Sequence, residues 1–388
     1  MEVAIIGVGI TRFGEFWERS YRDLITEAGI GAIRDAGIDG VEIQEMYVGS
    51  MTPGLFIQQE HIGALVADNA GLTGIPATRV ESACASGGMA LRQAYQAIKA
   101  GSADIVVAGG VEKMTDASTE HATVALAGAA DQEWEAFHGV TFPALYAMMA
   151  RRHMLEYGTT EEHMAMVASK NHTNGTLNPN AQFQRPFTVE QVMASTPVAD
   201  PLKLLDCSPI TDGAAVVILA SEKKARELCE KPVWINASTQ SSDTLALHDR
   251  KSLSRTEASI KAAKKAYSMS GSAPKDIDFA EVHDCFTIAE LMAIESLGFC
   301  PMGGAGKFTE DGETALSGSK PINTSGGLKA KGHPVGATGI AQAIEAVLQI
   351  RGEAGKRQIE GARTGLTHNV GGSGASCVIH VLSDEVRP

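Results

Sequence analysis

With 388 residues, 44% of them hydrophobic and 20% charged, the chain has the make-up of a soluble globular protein of two domains with an insertion; disorder, collagen-like repeats and a coiled coil are excluded. The net charge of −13, from 33 Lys and Arg against 46 Asp and Glu, repels polyanions and argues against nucleic-acid binding. Forty-one glycines exceed the ordinary share of ~7% and imply many tight turns and close backbone approaches.

The chain enters directly into Val3-Ala4-Ile5-Ile6-Gly7, without a basic region or cleavage site, and no apolar run approaches the ~18 residues of a membrane span. The expectation is a cytoplasmic protein that neither enters a membrane nor is secreted. In chain order, a strand at Val3–Val8, a helix at Tyr21–Ala36 and a strand at Met46–Gly49 are predicted, followed by a helix after Cys84 carrying the stripe Ala90, Ala94, Ala97 and Ile98. The second half repeats the pattern: strand Val233–Thr239, helix Glu257–Ser270, strand Phe279–His283, and a stripe at Ile340, Ile344, Val347 and Leu348. Ala36-Gly37 falls on Ser270-Gly271 and Val48 on Val282 at a shift of 234; the stripes coincide at a shift of 250, the difference being taken up by the glycine-rich stretch 301–319.

Short apolar strands alternating with amphipathic helices predict two similar α/β halves with mainly parallel or mixed sheets. They form a five-layered αβαβα sandwich if the small-residue helices near Cys84 and Gly336 are shared between them. The predicted division is 1–114 with 202–231 for the first half and 232–388 for the second. An inserted segment at 115–201 contains His138, Met148-Met149, Arg151-Arg152 and the polar run 171–185. An alternating terminal strand is expected over 375–381.

Several chemistries are excluded by spacing. The third glycine of a dinucleotide fingerprint beginning at Gly7 falls on Arg12, Gly306-Lys307 is followed by Phe308 rather than Ser or Thr, and a serine-hydrolase elbow at Ser373 meets Ala375. The six cysteines, at 84, 207, 229, 285, 300 and 377, have no metal-ligand or disulfide spacing, so no metal is expected and a special cysteine acts as a nucleophile or acid/base.

Four stretches carry chemistry. Cys84 sits in Glu81-Ser82-Ala83-Cys84-Ala85-Ser86-Gly87-Gly88, before a helix whose dipole favours the thiolate; the alternative is a small buried residue at a strand-to-helix turn. His333, in Lys331-Gly332-His333-Pro334-Val335-Gly336-Ala337-Thr338-Gly339, stands in nearly the equivalent place of the second half, so a pseudo-twofold pairing brings thiol and imidazole together. His283-Asp284-Cys285-Phe286 places a histidine and a second thiol on one turn, although Cys285 could equally be packing. His368-Asn369-Val370-Gly371-Gly372-Ser373-Gly374 offers backbone N–H groups to an oxyanion.

Together with Thr211-Asp212-Gly213-Ala214, these stretches, in this order and over essentially the whole chain, resemble the thiolase superfamily, and with it the thiolase fold. Ordinary thiolases carry Asn-Glu-Ala-Phe where this chain has 283–286, and a Cys-x-Gly near the C-terminus where it has 368–372 without cysteine. Both departures match the sterol-carrier-protein-2 type, the common archaeal form. The resemblance implies an acetyl-CoA C-acetyltransferase, forming acetoacetyl-CoA reversibly and feeding the mevalonate pathway. Cys84 would be the nucleophile, His333 its base, Cys285 the proton carrier and His283 an enolate-stabilising group, with Cys84 and Gly372 N–H as oxyanion donors, while Cys377 is packed. Coenzyme A thioesters enter as substrates, not as a bound cofactor. Arg151, Arg152, Lys170 and Arg185 are the cations available to coenzyme A, unless they are ordinary solvated surface. A homodimer is implied, as is a complex with hydroxymethylglutaryl-CoA synthase and a zinc-ribbon/OB-fold protein. The rivals are a broad-chain degradative 3-ketoacyl-CoA thiolase, a carbon–carbon lyase, hydroxymethylglutaryl-CoA synthase or a ketosynthase on the same fold, and a silent acyl-CoA-binding scaffold.

Overall fold

The computed structural model describes residues 2–387. In the first half, β1 (Val3–Ile10) leads to α1 (Tyr21–Ala36), β2 (Glu45–Gly49), β3 (Ala77–Val80), α2 (Ser86–Lys99) and β4 (Ile105–Glu112). The intervening stretch is largely helical, with α3 (Phe142–Tyr157) and α4 (Glu161–Gly175), and β5 (Gly213–Ser221) returns to the first sheet. The second half contains β6 (Val233–Ser242), α5 (Glu257–Ser270), β7 (Phe279–Val282), α6 (Thr287–Ser296), α7 (Thr338–Arg351), β8 (Thr364–Gly371) and β9 (Ser376–Ser383). The polar run beginning at Asn171 is therefore partly helical, its first five residues closing α4. The terminal strand runs two residues further than expected.

The helices start and stop where local chemistry dictates. Ser20 caps α1 reciprocally with Asp23, their side chains taking each other's backbone N–H at 3.2 and 2.8 Å. The helix ends at Gly37, and α5 ends at Gly271; both glycines are left-handed, with φ of 65° and 64°. That match fixes the shift of 234 between the outer helices. The central helices α2 and α7 instead begin 252 residues apart, two more than their stripes suggested. Almost every side chain of α7 is buried, so its apolar stripe is too broad to fix register to a single residue. Cys84 thus corresponds to Gly336, three residues beyond His333.

The strands form one mixed sheet in the order β3-β2-β4-β5-β1-β6-β9-β8-β7. β1 and β6 join the halves through only two antiparallel pairs, Ala4 with Trp234 and Ile5 with Val233. Met46 of β2 pairs with Ala77 of β3, and its equivalent Ala280 makes a parallel bridge to Ile322, so the fifth strand of the second half is reduced to a single bridge.

Alternation along β1 shows the layering. Val3 and Ile5 pack into a core with α2 and α7, whereas Ala4 and Ile6 pack against α1. In the second half Val378 faces α2, while Cys377, Ile379 and Val381 belong to a core with α5 and α6. The order is α1, the first half's strands, α2 with α7, the second half's strands of the same continuous sheet, α5 with α6, which is the five-layered arrangement. The Gly7-Val8-Gly9 stretch serves this packing, since a Cβ at Gly9 would lie 2.1 Å from the Ala28 carbonyl of α1.

Candidate functional site

The site forms where the N-termini of α2 and α7 cross. Glycines make the crossing possible: a Cβ on Gly339 would lie 2.2 Å from Gly88 N, and one on Gly87 2.6 Å from the Gly336 carbonyl. Ala83 adopts φ of +50°, and the turn is tied by Ser86, whose hydroxyl donates to the Ala83 carbonyl (2.6 Å) and accepts from Ser82 N–H (2.9 Å). Asn369, at the end of β8, spans both halves. Its amide NH2 donates to the Cys84 carbonyl (3.0 Å) and its oxygen accepts from Gly88 N–H (3.1 Å).

Ligand-capable atoms of Cys84, His283 and His333 lie within 4.8 Å of one another, and the two imidazoles meet edge to face with centroids 5.1 Å apart. A thiol and two imidazoles at this spacing are also donor types that zinc accepts. The hydrogen bonds assign the tautomers. Thr338 donates its hydroxyl proton to the Pro334 carbonyl (3.0 Å), so it accepts at 2.7 Å from His333 Nδ1–H, leaving His333 Nε2 with its lone pair. Asn369 Nδ2 donates to His283 Nδ1 at 3.3 Å, so the proton of His283 is on Nε2. That buried Nε2–H has no partner among the described residues and is available to an anionic oxygen. His368 supports this ring from behind, accepting the His283 backbone N–H at 3.4 Å and donating through Nε2 to Ser259 at 2.8 Å.

Burial keeps the resting site neutral. The Cys84 thiol is pushed up to about 12 by desolvation, opposed by hydrogen bonds from the backbone N–H groups of Gly372 and of Cys84 itself. The helix terminus therefore does not produce a resting thiolate. An effect on the order of 4 kcal/mol from 9.0 to about 12 exceeds the ~0.3–2 kcal/mol of a helix dipole. Desolvation, with some help from the Lys331 charge, lowers His333 to about 3 and keeps it a free base. The two N–H groups that hydrogen-bond the sulfur are those of Gly372 and Cys84, the pair named from sequence as oxyanion donors.

Cys285 lines the same cavity of about 160 Å³ as Cys84 and His333, together with Tyr146, Phe286 and Gly372. Its thiol is also raised well above the ordinary range, first by burial, and the Tyr146 hydroxyl lies within hydrogen-bonding reach of the sulfur. Cys377 is fully buried in β9 against Ser259, as packing.

The neighbouring motif residues are structural. Thr211 accepts the His333 N–H at 3.0 Å, and the buried Asp212 carboxylate accepts Met114 N–H (2.6 Å), Thr115 N–H (2.9 Å) and Lys113 Nζ (2.8 Å). Asp284 accepts Leu328 N–H (2.7 Å) and Asn171 Nδ2 (2.8 Å), tying the 283–286 turn to the loop that leads to His333. Thr338, Asn369 and Tyr146 were not singled out from sequence. The first two lay inside motifs already noted, whereas nothing around Tyr146 in the sequence marks it.

The four expected cations fare differently. Lys170 is not free: its ammonium donates to buried Glu290 at 2.6 Å and to the Ile322 carbonyl at 2.8 Å. Arg151 pairs with Asp200, Arg152 with Glu156, and Arg185 lies 5.2 Å over the Phe187 ring. The three arginines remain at the surface.

Two equivalent α/β halves sharing a helical layer, with a thiol and a free imidazole base where they meet, define an enzyme fold suited to acyl transfer through cysteine. The chain belongs to the thiolase family. Residues 3–223 match the model described as thiolase, N-terminal domain, and residues 239–384 the thiolase C-terminal domain-like model. It is 60% identical over 382 residues to an acetyl-CoA acetyltransferase of Methanothermobacter thermautotrophicus, covering 98% of this chain and 99% of that one. It is 39% identical to human sterol carrier protein 2, over 97% of this chain and 71% of the relative. Among solved structures, the Ltp2-ChsH2(DUF35) aldolase superimposes with a TM-score of 0.86 at 30% identity, over 99% and 98% of the two chains.

Proposed function

We propose that the protein is an acetyl-CoA C-acetyltransferase that condenses two acetyl-CoA molecules to acetoacetyl-CoA and coenzyme A through an acetyl-Cys84 intermediate. The observation that carries this reading is the meeting of two thiols, Cys84 and Cys285, in one cavity with the free-base His333. A cavity of about 160 Å³ supports a short acyl group over a long one.

In the first half-reaction His333 Nε2 takes the Cys84 proton as sulfur attacks the thioester carbonyl. Gly372 and Cys84 N–H hold the oxyanion, and His333 returns the proton to the departing sulfur of coenzyme A. The second half-reaction needs a base at the methyl group of the next acetyl-CoA. Cys285 gives its proton to His333, directly or through water, and the resulting thiolate breaks the methyl C–H bond. The enolate oxygen is held by His283 Nε2–H and the protonated His333. Its carbon attacks acetyl-Cys84, and the expelled sulfur recovers its proton from His333. All groups end in their starting states, and the sequence runs equally in reverse.

A short pulse of acetyl-CoA leaves the protein one acetyl group heavier at Cys84. A Cys84→Ala protein that still makes acetoacetyl-CoA at the parent rate refutes the assignment.

The surface arginines are a thin supply for an anion such as coenzyme A. This supports a reading in which Arg151, Arg152 and Arg185 are supplemented by a partner of the zinc-ribbon/OB-fold kind acting with hydroxymethylglutaryl-CoA synthase, as the Ltp2-ChsH2(DUF35) aldolase joins a chain of this fold with a DUF35 component. The isolated protein then binds coenzyme A more weakly than the assembled one. Strand β3, whose outer edge is unpaired in the single chain, is where a homodimer would form.

A further inference from the structure

The reading above leaves one charge unattended. Early in the second half-reaction Cys285 is a thiolate in a buried cavity, where an unpaired anion is costly. The oxyanion donors, the N–H groups of Cys84 and Gly372, are directed at the Cys84 sulfur, and His283 Nε2–H is reserved for the substrate oxygen. Two donors act on the sulfur, the fixed backbone N–H of Phe286 and the Tyr146 hydroxyl, and of these it is the hydroxyl that can turn toward or away from it.

Tyr146 projects from α3, is 2% exposed, and stacks on Phe286, the residue after Cys285, with centroids 4.6 Å apart at 29°. The stacking fixes the ring, so the hydroxyl can reorient only by rotating its proton. In the resting structure that proton is donated to the Gly372 carbonyl at 3.0 Å. The oxygen thus lies between the backbone of the residue that supplies an oxyanion N–H to Cys84 and the sulfur of the second thiol.

We propose that Tyr146 is a catalytic hydrogen-bond switch for Cys285: its O–H donates to the Gly372 carbonyl while Cys285 is a thiol and rotates to donate to the sulfur once Cys285 is a thiolate. The phenol keeps its own proton throughout. The proton that moves is the one from the acetyl methyl group, whose C–H bond breaks to give the enolate pair as the S–H bond of Cys285 forms. Rotation costs one buried bond to a neutral carbonyl and gains one to a charged sulfur, and bonds to ionised groups are about twice as strong. The other groups facing this pair are few. Cys84 and Asp284 oppose charge on Cys285, the Phe286 backbone N–H and the buried Lys329 favour it, and Arg250, whose guanidinium donates to the Ser373 carbonyl at 2.6 Å, faces Tyr146. These set a common background that removal of the phenol oxygen leaves in place.

The proposal rests on the two-thiol reading for its place in the cycle, but its test does not. In a Cys84→Ala protein, the rate at which iodoacetamide modifies Cys285, located by peptide mass, is followed against pH with Tyr146 and with Tyr146→Phe. The phenylalanine keeps the ring stacked and removes only the donor. The expected result is a roughly tenfold slower modification at fixed pH, with the thiolate profile displaced upward. Replacement of Tyr146 by 3-fluorotyrosine, a stronger donor, displaces it downward. Coincident profiles overturn the proposal whatever reaction the enzyme catalyses. In the Cys84-containing protein, Tyr146→Phe lowers kcat for condensation about tenfold or more, while the burst of acetyl-Cys84 keeps its rate. A burst slowed by the same factor as condensation shows that the bond to Gly372 merely props the oxyanion donor, and overturns the proposal. A wild-type protein that makes no acetoacetyl-CoA refutes the function assigned above and leaves the alkylation result standing.

Discussion

The tautomer of His333 depends on one hydroxyl, and replacing it tests the placement of the lone pair on which the acylation step is built. Thr338 is 1% exposed, accepts His333 Nδ1–H at 2.7 Å and is itself anchored to the Pro334 carbonyl at 3.0 Å. Thr338→Val keeps the shape and leaves Nδ1–H facing a methyl group. A buried donor without a partner costs about 1–3 kcal/mol, and the ring escapes that cost by moving the proton to Nε2 or by turning away from Cys84. Either response removes the base. At 1.36 kcal/mol per factor of ten, acetylation of Cys84 slows by roughly 5- to 150-fold. The loss is read on kcat/KM for the first half-reaction, where His333 acts before any acetyl-enzyme exists, and condensation, which also uses His333, slows with it. Thr338→Ser retains the acceptor and recovers most of the rate. The assay is quenched-flow acetylation read by intact mass, with thermal melts on both variants to separate lost stability from lost chemistry. Parent acetylation rates in a folded Thr338→Val protein refute the tautomer assignment.

Cys285→Ala leaves the acetyl-Cys84 burst largely intact and slows formation of acetoacetyl-CoA by about 10²–10⁴, so the acetylated enzyme accumulates and is seen by mass. Gly339→Ala places a methyl carbon 2.2 Å from both Gly88 N and the Asn369 oxygen, and destabilises by about 3 kcal/mol or more, lowering the melting temperature, whereas Gly352→Ala, with open space around it, mainly strains its own left-handed backbone and disturbs the site little. Desolvation holds Cys84 near 12, so the difference in 240 nm absorbance between the parent and Cys84→Ser stays flat up to about pH 10. A thiolate step with a midpoint below pH 8 that disappears in the serine variant contradicts the neutral resting pair. His333 is lowered to about 3 and His368 likewise, so the folded state holds fewer protons on these rings than the unfolded chain. Their contribution is complete above 6.5, the ordinary histidine value, and is lost as pH falls from there toward 3, at about 1.4 kcal/mol per pH unit for each ring; His368→Gln flattens the acid limb of a stability-against-pH curve.

The repeat was legible because equivalent residues do equivalent mechanical work. Gly37 and Gly271 both close an outer helix in the left-handed conformation, and a two-residue sequence match locates them. The thiol and imidazole of the site were legible because Cys84 and His333 are each followed by glycines, and the structure shows why: the crossing of α2 and α7 leaves no room for a Cβ at Gly87 or Gly339. Tyr146 was not, because its meaning lies in two long-range contacts, to Gly372 and to Cys285, that no local pattern on α3 encodes. Lys170 was misread for the opposite reason. A lysine at a helical position reads as solvated, yet its partner Glu290 lies 120 residues away on α6 and draws the ammonium inward.

The pull of the helix terminus toward a Cys84 thiolate is outweighed by burial in the resting site, yet the same dipole has a use there. A resting thiolate would have to be held against desolvation worth more than the terminus supplies. A neutral thiol beside a neutral imidazole carries no such cost. Charge appears only when a carbonyl carbon accepts the sulfur and its oxygen moves toward Gly372 and Cys84 N–H. At that moment the donors are already in place and the surrounding dielectric is low, so each is worth most where the transition state needs it. Burial that raises the thiol and backbone N–H groups that lower it therefore act in sequence. The first keeps the site neutral until substrate fills it, and the second receives the charge that substrate creates.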